Sequence, residues 1–567
     1  MPQIRLSAIQ FATSDDVEAN LATCLRMIDA AASHHPHLIV TPEFINHILW
    51  FDDADHCWRV SVDPDGPFLR ALGDKAREHA LYLKVNVTLR RPNHTVTGSN
   101  ILFAPSGEIV AITDKQILMG NENNFLTPAT EPAEIITTPF GKLGMYCCMD
   151  GVIPEPARAL AVGGAHILLN SLNSFAHDEA SLHIPVRSGE NKVFVVAANK
   201  VGGLVPPEMA QIVADRLKIP ASAVAGAGES QILAPDGTVL AKAPRAGEAV
   251  IFADVELAEA ENKRRPDGTD ILASRRPDLY HPLAAPPSPR RPLAPSPHLE
   301  VAVGQLAGPD RVAEAVGLVH AAASQSLSLL VLPELFYHHG DTPPPPAASA
   351  ITALQHALGD SDCLIATTIA EGKAHVGILL GREGILLRQP QLHRCGRHPW
   401  IEQFGEQVQV LDLPWGRLAL VVGGDAIYPE VFRLAALQDV DVVAVPTRVL
   451  EPWEMQTGFL ERAAENRMNL VVATEPSAHG TSAIFALDKD FTLWTQWEKP
   501  FDGNINYPII TRAPHTPGLT RATVYPAQAA NRLISQKTDL VANRPWWLVQ
   551  GILTTGERGR EKRMVNG

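Results

Sequence analysis

Short apolar runs rich in β-branched residues alternate along the chain with longer stretches whose apolar positions recur at helical spacing. In the first half, RLSAIQF, HLIVTP, LYLKVNVTL, NILFAPSG, KLGMYCC, HILLNS, VFVVAAN, SQILAPDG and VIFADVEL predict strands. The amphipathic stretches predict helices near residues 16–33, 67–80, 154–163 and 178–192, and PSG, PDG and GRE mark turns. This alternation predicts an α/β layered arrangement, with sheets inside and helices outside.

The pattern then repeats. QIRLSAI (3–9) and LIVTPEF (38–44) return as HLEVAVG (298–304) and LLVLPELF (329–336). GKLGMYCCMDGVIPE (141–155) returns as GRLALVVGGDAIYPE (416–430), and RSGENKVFVVAANK (187–200) as RAAENRMNLVVATE (462–475). TDILASRRPDLY (269–280) returns as TDLVANRPWWL (538–548). Five matches in one order identify a tandem duplication. Between the copies, HPLAAPPSPRRPLAPSPH is too rich in proline for a helix or a central strand. The expected organisation is a domain over 1–280, a linker over 281–298, a second domain over 299–553 and a polar tail over 554–567.

Composition narrows the classes. Of the 567 residues 46% are apolar and 19% charged, which excludes wholesale disorder. A net charge of −14 argues against a nucleic-acid surface spread over the chain. MPQIRLSAIQF lacks the basic start and apolar core of a secretory leader, and no run reaches the ~18 apolar residues of a membrane span. Six cysteines are too few for a disulfide scaffold, and no paired CxxC knuckles suggest structural zinc. A reduced, cytoplasmic protein away from membranes is expected.

Three segments of the first copy could carry chemistry. Glu43 in TPEF ends an apolar strand, where α/β folds place ligands. Lys115 lies in DKQIL. Cys147 and Cys148 end a strand before a turn and a helix started by proline. Amide groups of such a turn stabilise a thiolate and can donate to an oxyanion. Because neighbours on a strand alternate in direction, one cysteine should face a pocket and the other the core. Taken singly, each has an ordinary structural reading: a solvated carboxylate, a surface lysine, an inert buried thiol.

Together these segments resemble the nitrilase superfamily, the carbon–nitrogen hydrolases. The Cys-x-Asp-x-x-x-Pro-Glu setting reads Cys148-Met149-Asp150-Gly151-Val152-Ile153-Pro154-Glu155, which makes Cys148 the nucleophile. The likeness runs through residues 3–280, including GENKVFVVAANKVG, GESQILAPDGTVLA and RRPDLY. It implies a four-layer α-β-β-α sandwich in each copy. It implies Glu43 as general base, Lys115 and the Met149 N–H as oxyanion donors, and Glu122 as a second glutamate that positions substrate. No metal or cofactor is required. The Cys-Met-Asp-Gly sequence resembles the aliphatic amidase and formamidase branches more than the Cys-Trp-Glu of nitrilases. The expected substrate is a small amide or carbamoyl compound, with water as co-substrate and ammonia or an amine as product. Nitrile hydrolysis, acyl transfer to an amine and a non-enzymatic scaffold are the alternatives. No GxxxxGK[ST] loop points to an ATP-driven ligase.

Asn170 and Ser171 are expected as polar contacts to substrate, with a structural role as the alternative. Residues 203–222 read as an inserted helix. The histidines at 34–35 and 338–339 read as loop residues rather than metal ligands. Aligning the copies places Glu334 on Glu43, Gln389 on Lys115, Gly423 on Cys148 and Glu402 on Glu122, so the second copy reads as degenerate. Cys395 falls in an insertion and cannot simply replace the nucleophile. Family members usually pair. The fused copy is therefore expected to supply that face as an intramolecular pseudo-dimer, with homo-oligomers of the two-domain chain a further expectation.

Overall fold

The computed structural model describes residues 3–292, 295–338, 340, 342–492 and 497–554. His339, Leu293 and Ala294 of the linker, and 555–567 of the expected tail lie outside the described residues. The described residues divide into two compact units, those within 3–262, 490–506 and 533–554, and those within 263–489 and 507–532.

The first unit holds two six-stranded sheets. In one, strands Gln3–Gln10, Leu38–Val40 and Tyr82–Arg91 run parallel to one another. In the other, Gly141–Cys147, Ile167–Leu172 and Phe194–Asn199 do so. Their facing sides share one apolar layer that includes Leu6, Ala8, Leu143, Met145, Ile167 and Leu169. Period-two alternation sends the intervening residues outward. Thus Tyr146 and Leu168 pack with Ala157 and Leu160 of helix Pro154–Val162. Helices Val17–Ala32 and Pro67–Glu78 cover the other sheet through Cys24, Ile28, Leu69 and Leu72. Asp16 caps the first helix by accepting from the Glu18 and Ala19 amides. The expected α-β-β-α order is therefore present.

All nine predicted strands form. Ile109–Asp114, Ile136–Thr138 and Val239–Lys242 form as well. These three each lie at a sheet edge, where one neighbour is missing and the apolar pattern is weak. Ile109, Val110 and Val239 are in fact exposed.

The second unit repeats the architecture with two more six-stranded sheets. Val301, Val303, Val331, Leu418, Leu420 and Val442 belong to its inter-sheet layer. The compact units do not follow the sequence copies to their ends. The tail of the first copy, 263–280, packs in the second unit, where Arg275 pairs with Glu430 at 3.1 Å. Described residues of two later stretches, 490–492 with 497–506 and 533–554, pack in the first unit. The exchange is reciprocal in detail: Gly120 N donates to Thr538 Oγ1 in one unit, and Gly396 N donates to Thr269 Oγ1 in the other. Among the described residues no helix is long and apolar enough to cross a membrane.

Candidate active site

Glu43 follows the short strand Leu38–Val40, and the next residue, Phe44, has φ +49°. The Asn86 carboxamide fixes that bend by accepting from the Phe44 amide at 3.0 Å. Lys115 follows strand Ile109–Asp114, and its amide donates to the Gly98 carbonyl at 2.7 Å. Gly98 must be small: a Cβ there would lie 3.0 Å from the Phe44 ring. Strand Gly141–Cys147 then delivers Cys148, which has φ +48° and ψ −110° and caps the short helix Met149–Val152. This is a strained region for a residue with a Cβ. Two acceptors hold it, since the Cys148 amide lies 3.0 Å from both the Ser171 carbonyl and Asn170 Oδ1. Asp150 Oδ1 accepts from the Gln116 and Ile117 amides, tying the lysine segment to the cysteine turn.

These segments bring three charges together. Lys115 Nζ donates to Glu43 Oε1 and Glu122 Oε1, each at 2.8 Å, and all three side chains are buried. Burial favours a neutral lysine, but Glu122 and Glu43 outweigh it and hold the ammonium well above its ordinary range. Burial raises Glu122 to about 7 against the pull of Lys115, with Glu43 adding to the rise. Glu122 Oε2 also accepts from the Met119 amide. Glu43 Oε2 has no hydrogen-bond partner. Burial and then Glu43 push the Cys148 thiol up, Lys115 opposing, so it rests protonated at neutral pH.

Cys148 and Glu122 line a cavity of about 420 Å3. Cys147 is fully buried, its Sγ near Asn100 and Asp150. The Met149 amide, first in its helix, has no hydrogen-bond partner among the described residues. Asn170 and Ser171 do not line the cavity. Asn170 holds the Cys148 amide, and Ser171 joins Lys84 Nζ to the Thr41 carbonyl. The expected inserted helix is present as Pro207–Leu217 and forms part of the cavity wall through Val213, Arg216 and Leu217. Sequence reading missed Ile505, Ile534 and Ser535, which line the same cavity from the far end of the chain. It also missed Asn86 and Lys84, whose contacts depend on strand pairing.

The second unit keeps the frame and changes the groups. Gly423 has φ +52° and Leu335 φ +45°, the counterparts of Cys148 and Phe44. The lysine position needs correction by two residues. Asp425 accepts from the Leu392 and His393 amides as Asp150 does from those of Gln116 and Ile117, and the Gln391 amide donates to the His375 carbonyl. Gln391, rather than Gln389, therefore stands where Lys115 does. Glu402 is also displaced from its expected place, being an exposed partner of Lys373. Glu334 pairs instead with Arg397. Glu334, His375 and His398 offer ligand atoms within 4.8 Å of one another. Arg397 already neutralises the carboxylate, however, and both His375 nitrogens are bonded, to Gln391 and Thr368.

The family description "Carbon-nitrogen hydrolase" matches residues 5–265 and again 300–499. The chain is 28% identical to a nitrilase from Pyrococcus abyssi over 265 residues, 46% of this chain and 93% of that one. It is 25% identical to an N-carbamoylputrescine amidase from Solanum lycopersicum over 292 residues, 49% of this chain and 93% of that one. It is 27% identical to a deaminated glutathione amidase from Bos taurus over 302 residues, 49% of this chain and 85% of that one.

Proposed function

The chain belongs to the carbon-nitrogen hydrolase family, as two tandem copies, and from that premise we propose that its first unit hydrolyses a small amide or carbamoyl compound through a thioester on Cys148. The observation that carries this reading is the single buried network in which Lys115 bridges Glu43 and Glu122, with one Glu43 oxygen left without a partner.

The chemistry follows from that arrangement. A protonated thiol is a poor nucleophile, so its proton must leave as the sulfur attacks. The open oxygen of Glu43 takes that proton while the Sγ–carbon bond forms. Negative charge moves to the former carbonyl oxygen, where the Lys115 ammonium and the unbonded Met149 N–H stabilise it. The carbonyl re-forms, the carbon–nitrogen bond breaks, and Glu43 gives its proton to the leaving nitrogen. Water then enters. Glu43 removes its proton as the oxygen attacks the thioester carbon, the sulfur–carbon bond breaks, and the proton returns to Cys148. While Glu43 carries the proton, Glu122 and the negative charge developing on substrate still face Lys115 and keep it charged. Asn170 and Asp150 act as positioning residues for the turn.

Intact-protein mass spectrometry during turnover of an amide and nitrile panel tests this. An acyl adduct on Cys148, absent from Cys148→Ala, with release of ammonia or amine, is the expected result. An adduct on Cys147, or turnover that survives Cys148→Ala, would overturn it.

A further inference from the structure

The cavity at Cys148 is much larger than the acyl group of acetamide needs, and its walls are chemically lopsided. Leu204, Val205 and Leu217 line it from the segment around helix Pro207–Leu217, and Ile505 and Ile534 line it from the later stretches of the chain. Two charged side chains reach it, Glu122 and Arg216. Glu122 is committed to Lys115. Arg216 is solvent-exposed and lines the same cavity as Cys148. Among the described residues it has no ion pair or hydrogen bond. The chamber therefore offers the Cys148 thiol, largely apolar walls and one uncommitted guanidinium.

From this we infer that the first unit takes amides whose acyl group is an extended apolar chain or ring ending in a carboxylate, with the amide at Cys148 and the carboxylate at Arg216. The inference rests on the reading of Cys148 as nucleophile. Its physical basis is twofold. Apolar walls reward the middle of such a molecule for leaving water. A planar guanidinium beside them pairs with a carboxylate through two parallel hydrogen bonds, which it cannot do with a methyl or an ammonium group. A reversed molecule would bring its carboxylate against Glu122 and be repelled. Ile505 and Ile534 make this selectivity depend on stretches of the second copy that pack in the first unit. They join Met149, Val152 and Ile153 of the cysteine turn in one apolar cluster.

The test uses the full chain and four primary amides: acetamide, and three of matched extended length ending in carboxylate, methyl or ammonium. The expected order of kcat/KM is carboxylate, then methyl, then ammonium. In R216Q the carboxylate-to-methyl ratio of kcat/KM falls by about tenfold or more. In R216E the ammonium amide overtakes the carboxylate amide. Arg216 is exposed, so neither variant threatens the fold. Cys148-dependent turnover with equal kcat/KM for the three long amides, or a ratio that R216Q does not move, overturns the inference while the nucleophile reading stands. No ammonia and no Cys148 adduct from any of the four overturns the nucleophile reading and this inference with it.

Discussion

The two units carry the same bend at the same two places, yet the buried groups gathered there differ. In the first, a lysine lies between two carboxylates and a cysteine occupies a positive-φ corner. In the second, the corner is Gly423, the lysine is Gln391, and Arg397 pairs with the surviving glutamate. The first cluster has one more buried carboxylate than cation. That imbalance keeps Lys115 charged and leaves a Glu43 oxygen open. The second pairs Glu334 with a guanidinium and fills the corner. A Cβ on Gly423 would sit 2.7 Å from Glu334 Oε2 and 2.8 Å from His375. Frame and side-chain chemistry are thus separable: matching backbone hydrogen bonds hold the bends in both units although the groups around them differ. A buried glutamate still needs a positive partner, whichever residue supplies it.

The sharpest way to break this comparison is to remove Cys148 from the first unit and Cys395 from the second. Cys148→Ala should lower kcat by about a thousandfold or more. Cys395→Ala should change it little, because Cys395 lies beside Gly424 with a thiol that burial raises. Acylation of Cys395 would mean that the second unit is also reactive. Next comes cutting the chain after residue 280. That fragment lacks Ile505, Ile534 and Thr538, and keeps a tail that packs in the other unit. It should be insoluble or lose most turnover. A soluble, fully active fragment would show that the later stretches are dispensable.

The sequence made the sandwich legible because its central strands are buried on both faces and read as continuous apolar runs. The edge strand Ile109–Asp114 has exposed apolar residues and carries no such pattern, although Lys115 directly follows it. Glu43, Lys115 and Cys148 could be named from motifs, and Glu122 from the family resemblance. Gln391 was missed because residue counting cannot detect where an insertion begins. Only the amide contacts to Asp425 set that register. Arg397 was unreadable for the same reason. Nor can a linear pattern show that 263–280 and 533–554 exchange units, since each matches its own copy in sequence and packs with the other in space.

Arg397→Gln asks whether the second cluster is purely structural. Burial would raise Glu334, but Arg397 and then His398 outweigh it and hold the carboxyl below its ordinary value. A carboxyl lowered by folding stabilises the fold fully above its unfolded value of 4.5, and the contribution is lost as pH falls toward the folded one. The variant should therefore cost about 3–5 kcal/mol at neutral pH and progressively less below pH 4.5. Urea unfolding across pH measures this, and hydrogen exchange in strand Gly416–Leu420 locates it in the second unit. Loss of amide turnover with no loss of stability would contradict a structural role.

The smallest expected effect distinguishes the clusters by titration. Glu122 lies near 7, so it passes from largely protonated to largely ionised across neutrality, and only as the anion does it fully match Lys115. kcat/KM should rise severalfold between about pH 6 and about pH 8. Asp150, raised by burial, and Lys84, lowered by burial, also lie near 7, so the midpoint alone does not identify the group. Glu122→Gln should lower the plateau by about tenfold and flatten the rise, because an amide cannot titrate. If the rise persists with its midpoint unchanged in Glu122→Gln but vanishes in Lys84→Met, the proton belongs to the Lys84–Ser171 pair. The carboxylate on Lys115 would then be a permanent charge. In that case the two units would differ in the sign of the residue beside the glutamate, Glu122 against Arg397, and no longer in whether that residue can change its charge.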